Sequence, residues 1–141
     1  MRRNAFSLIE LIFVIILLGI LSSFAVVKMG EMSTTAQVAK LDAFVGTLNR
    51  SVSAAIWFDS MQNNRDGSVA YADYDTHIAN YVSILPGNST PPALVNCNSA
   101  GDGVFLTYIY DKTYEIHCKD GNQTSAPVFR LYDLSDSTYI E

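Results

Sequence analysis

A chain of 141 residues has room for one small domain and one further segment, and no more. It carries nine Lys and Arg against fourteen Asp and Glu, and from residue 28 onward seven against thirteen. That acidic balance excludes a nucleic-acid binder, because phosphate contacts need clustered cations.

Residues 1–5, Met-Arg-Arg-Asn-Ala, form a short basic leader. From Phe6 to Val27 almost every residue is apolar; the exceptions are Ser7, Glu10, Gly19, Ser22 and Ser23. A run of this length matches the roughly 20 residues that cross a bilayer as a helix. Arg2 and Arg3 precede it, and Lys28 is the one basic residue close behind it. The positive-inside tendency therefore puts the N-terminus in the cytoplasm and the bulk of the chain outside. Glu10 is the one charge in the run, and a carboxylate there costs free energy unless it has a partner. No Lys, Arg or His lies between Phe6 and Val27. Its partner is then the lipid headgroup region, water, or a group on another molecule.

The helical pattern does not stop with the apolar run. Val38, Leu41, Val45, Leu48, Val52, Ala55, Ile56 and, less regularly, Met61 fall at the 3–4 spacing of a helix with one buried stripe. The first proline is Pro86. One nearly continuous helix is expected from Phe6 to about Asn63, roughly 85 Å long at 1.5 Å per residue. Asn64-Arg65-Asp66-Gly67 ends it with a turn. A short helix around Asp75–Leu85 is expected next, and residues 86–92, rich in Pro, Gly and Ser, read as a loop.

A β pattern follows. Val104–Tyr110 and Thr113–Cys118 are rich in β-branched and aromatic residues and meet at Asp111-Lys112, which predicts a hairpin. Val128–Tyr132 makes a third strand. The fold class is α+β: a long N-terminal helix, half transmembrane and half amphipathic, packed on a small antiparallel sheet of three or four strands. The divisions are 1–5 leader, 6–27 membrane half, 28–63 amphipathic half and 64–141 head.

Cys97 and Cys118 both fall in the exported part, where an oxidising compartment favours one disulfide over two unpaired thiols. Closing a loop of that size contributes about 3 kcal/mol. Asp133 and Asp136 are weak candidates for a calcium site, with a solvated acidic tail as the plainer reading. His77 and His117 have no ligand-spaced companions, and no catalytic triad motif is present. No cofactor and no enzymatic activity are expected.

Arg2-Arg3-Asn4-Ala5, followed by Phe6-Ser7-Leu8-Ile9-Glu10 and the apolar residues to Leu21, resembles the N-terminus of type IV prepilins and type II secretion pseudopilins. The resemblance covers about 25 residues. It implies a pilin-like fold, leader cleavage between Ala5 and Phe6 by a prepilin peptidase, and N-methylation of Phe6. It also gives Glu10 a partner, the Phe6 amine of a neighbouring subunit, and makes Gly19 a close-packing position between helices. Partners would be copies of the chain, other pilin-like subunits and an inner-membrane assembly platform. Ala5 stands where the family mostly has glycine, and Val27 where many members have proline; the latter leans the role toward a pseudopilin or minor pilin over a major pilin. The competing class is a signal-anchored periplasmic binding module that does not polymerise. A secreted domain cut from its span is disfavoured, because no A-x-A site follows the apolar run directly.

Overall fold

The structure, a computed structural model, describes residues 7–82 and 84–140, and for residues 24–31 the backbone alone. Helix α1 covers Leu8–Thr47, a π-helical turn covers Leu48–Val52, and α2 covers Ser53–Gln62. The helical path expected to Asn63 is therefore present, with one irregularity. At the π turn the Ser53 N–H donates to Leu48 O, five residues back, in place of the usual four. The short helix α3 covers Ala72–His77 and runs on as a 3-10 turn, Ile78–Asn80. It starts three residues earlier and ends earlier than the pattern predicted, because Tyr71 is extended and serves as its N-cap.

By its contacts the chain divides into two compact units between Gln37 and Val38. The first contains the apolar part of α1. The second contains the end of α1, the π turn, α2, α3 and a sheet of four antiparallel strands in the order β1-β2-β3-β4. These are β1 Gly103–Ile109, β2 Thr113–Lys119, β3 Val128–Asp133 and β4 Thr138–Ile140. A 3-10 turn, Leu94–Asn96, precedes β1. β1 and β2 form the hairpin placed by Asp111-Lys112, with Tyr108 opposite Tyr114 and a bulge between Val104 and Leu106.

The core of the second unit joins the helical stripe to one face of the sheet. Leu41, Val45, Leu48, Val52 and Ile56 are all buried, together with Phe105, Leu106, Ile116, Phe129 and Leu131. Ala55 is half-buried, and Met61 lies on the exposed side. Each fully buried aliphatic side chain contributes about 1.5–3 kcal/mol. Phe105 and Phe129 meet edge to face at 5.0 Å. Along β2 the alternation sends Tyr114, Ile116 and Cys118 to this core, and Glu115, His117 and Lys119 to the opposite face.

Two side chains beside the stripe lock the helix to the sheet edge. The Asn49 amide donates to Phe129 O at 2.8 Å and accepts from Phe129 N–H at 2.8 Å, taking the place of a neighbouring strand. The buried Ser53 hydroxyl donates to Pro127 O. Asn49 lies in the π turn and Ser53 directly after it, and their partners are Phe129 in β3 and Pro127 just before that strand.

Candidate functional site

The start of α1 is the segment singled out by the sequence, and its geometry begins with Ser7. The Ser7 hydroxyl accepts from the Glu10 N–H at 3.3 Å, and the Glu10 carboxylate accepts from the Ser7 N–H at 3.4 Å. This reciprocal pair is a capping box, S-x-x-E, which satisfies backbone donors that a helix start leaves without partners. A negative side chain in the first turn also meets the positive end of the helix dipole, worth about 0.3–1 kcal/mol. Glu10 thus has a hydrogen-bond partner inside its own helix, three residues away, in addition to any charged partner outside the chain. The spacing Ser7-Leu8-Ile9-Glu10 carried that signal. It is missed when only opposite charges are sought.

Beyond the cap the apolar side chains are bare. Leu8 is 77% exposed, and even Ile12, the least exposed of this run, is 42% exposed. A surface of this extent marks contact with another apolar phase or molecule. Gly19 lies within it, and a Cβ built there would meet nothing within 4 Å. The two hydroxyls that follow turn inward: Ser22 donates to Leu18 O and Ser23 to Ile20 O, each at 2.7 Å. Neither donor then needs a partner when the face is buried.

Among the described residues, no helix is long and apolar enough to cross a membrane. The apolar side chains that are described run from Leu8 to Leu21, which is about 21 Å of helix rise against a hydrocarbon core of about 30 Å. The expected span at 6–27 also takes in Phe6 and the side chains of 24–27, which lie outside the described residues. So do the leader at 1–5, Ala5 and the cleavage and methylation positions.

The other predicted residues sit in the second unit. Cys97 and Cys118 are joined in a disulfide, and both are buried. Asp133 and Asp136 each face Lys112, whose Nζ is 3.6 Å from one carboxylate and 3.7 Å from the other. Among the described residues no cluster of three or more His, Cys, Asp or Glu side chains is arranged to hold a metal. Asp133 is buried, which disfavours its charge, yet its carboxyl is held below the ordinary range. The Ser135 N–H, which donates at 2.7 Å, and Lys112 outweigh that burial. His77 packs edge-on against Tyr74, and His117 lies between Glu115 and Tyr139.

Residues 1–26 match the family model described as the prokaryotic N-terminal methylation motif. The match agrees with a type IV prepilin-like class III signal and points to pilin-like and pseudopilin subunits. Neither a curated protein nor a solved structure matches the chain.

Proposed function

We propose that this chain is a structural subunit of a type IV pilus or type II secretion pseudopilus, assembled through its N-terminal helix once its leader is removed. The observation that carries the reading is the methylation-motif match at residues 1–26, with Glu10 in the helix's first turn beneath it. In this reading a prepilin peptidase cuts between Ala5 and Phe6 and methylates the new amine. The apolar segment from Phe6 to Val27 holds the subunit in the inner membrane with the disulfide-bonded unit in the periplasm. The chain catalyses nothing; the chemistry is done to it. Its partners are like subunits and the inner-membrane assembly platform, and Val27 in place of a proline leans the role to a pseudopilin or minor pilin.

The helix surface supports this reading in physical terms. The Ser7–Glu10 contact is long, so a neighbour's Phe6 amine can replace it with a charge-assisted bond roughly twice as strong. Unpaired, either charge in a low-dielectric bundle costs several kcal/mol. The exposed aliphatic face supplies packing, Gly19 permits close approach of two backbones, and the self-satisfied Ser22 and Ser23 add no buried unpaired donor.

The test is the intact mass and N-terminal sequence of the membrane-derived protein, followed by crosslinking of Glu10→Gln. Loss of Met1–Ala5 with one added methyl group, and oligomers that vanish in Glu10→Gln while membrane insertion survives, are the expected results. An unprocessed N-terminus, with Glu10→Gln behaving as wild type, would instead leave a signal-anchored binding module.

A further inference from the structure

On the sheet face away from the core, His117 is 7% exposed because aromatic rings cover it. Tyr132 of β3 stacks on it at 4.6 Å and Tyr139 of β4 meets it edge-on at 5.6 Å. Both ring nitrogens are occupied: Nε2 is 3.0 Å from Glu115 Oε2, and Nδ1 is 3.1 Å from the Tyr139 hydroxyl. That hydroxyl has a second neighbour, Gly101 O, at 3.4 Å. Gly101 belongs to the loop held by Asn98, whose side chain accepts from Gly101 N–H and donates to Asp102, one residue past the disulfide at Cys97.

Proton counting fixes the rest. A carboxylate only accepts, so Nε2 carries a proton toward Glu115 in either charge state. In the neutral ring Nδ1 is then a lone pair, and it takes the one proton of the Tyr139 hydroxyl, leaving Gly101 O without a donor from Tyr139. In the charged ring Nδ1–H donates to the Tyr139 oxygen, and the hydroxyl proton is free to go to Gly101 O. We propose that His117 is a proton-operated clip, which on protonation completes the relay Glu115–His117–Tyr139–Gly101 and fastens the C-terminal strand β4 to the disulfide loop.

The surrounding charges come from several elements, and α1 supplies Asp42, which lines a pocket together with Arg130 and Tyr139. β2 supplies Glu115 and, next along the same face, Lys119; β3 supplies Arg130 opposite His117, with its guanidinium 5.8 Å from the Tyr139 ring centre. β4 supplies Tyr139, the loop supplies Asp102 bonded to Asn98, and β1 contains no charged residue and places Val104 opposite His117. Because the closed relay gains a bond that only the charged ring allows, closure and proton uptake favour each other, and acid closes the clip.

The experiment is amide hydrogen exchange on the full chain in detergent at pH 5 and pH 8, across the range in which histidine exchanges its proton. Protection of the β4 amides is divided by that of β1 and β2 in the same sample, which cancels the chemical pH dependence of exchange. The ratio is expected to rise about twofold to tenfold from pH 8 to pH 5, the effect of one hydrogen bond. Tyr139→Phe, which keeps the ring and loses the hydroxyl, should flatten it. An equal ratio at both pH values, or a pH dependence that survives in Tyr139→Phe, overturns the proposal. Independently of any variant, the imidazole 15N shifts of wild type at pH 8 must show the Nε2–H tautomer; the Nδ1–H tautomer overturns it equally.

Discussion

Asn49 is separated from Phe129 by eighty residues, and its amide both donates to and accepts from the Phe129 backbone. Asn49→Ala would strip two partners from a strand edge that packs against the helix, and a buried backbone group without a partner costs about 1–3 kcal/mol. The unfolding free energy from urea melts should fall by that amount, while Asn49→Gln, whose longer arm misplaces the amide, should recover little. Asp133 carries a different prediction, on pH. A carboxyl held below its ordinary range in the folded chain adds stability at pH values above that range, and the contribution is lost as pH falls through the lowered value. Wild type should therefore lose stability on acidification below about pH 4, and Asp133→Asn should flatten that part of the curve. Stability melts of the two proteins between pH 2 and pH 6 check the sign; a wild type and variant with parallel curves would remove Asp133 from the account.

Among the elements, those with a strong local period were the most readable. The stripe from Leu41 to Ile56 is buried because four-residue and three-residue steps return to one helix face, and β1 to β3 follow their Val, Phe, Tyr and Ile content. β4 is only three residues, Thr138–Ile140, cut off from β3 by a polar turn, and so it carries no period of its own. The π turn and the Asn49 clamp arise from tertiary register, which no local pattern encodes. The Ser7–Glu10 cap was legible in its spacing, but charge reasoning directed attention to a partner elsewhere. Gly67 shows a close approach that sequence marked only as a turn. Its φ is +81°, and a Cβ there would stand 2.3 Å from Asn122 O and 2.6 Å from Trp57 Nε1. The Trp57 indole donates to that same Asn122 O at 2.8 Å. Gly67→Ala should cost at least about 1–3 kcal/mol through strain and overpacking. Trp57 is the one tryptophan in the chain, so a red shift of its emission reports the broken bond directly.

At the scale of the whole molecule, the two units hold their apolar residues in opposite ways. The first leaves Leu8 to Leu21 bare, so burial of that surface waits on another apolar phase or molecule, whereas the second encloses its own core. The second, Val38–Glu141, has a covalent staple that adds to what that core supplies. The Cys97–Cys118 bond is that staple: it ties the 3-10 turn Leu94–Asn96, on the approach to β1, to the middle of the sheet in β2, across 21 residues of sequence. Opening it restores the freedom of that loop to the unfolded chain and leaves two thiols inside the core, at a cost of about 2–5 kcal/mol. Reductant should therefore lower the urea midpoint read by Trp57 emission. Helical circular dichroism from the apolar part of α1 should persist through the same transition, because its packing owes nothing to the disulfide. A single transition in which both signals vanish together would show that the helix start depends on the folded second unit, and a midpoint indifferent to reductant would mean that the core alone holds the sheet.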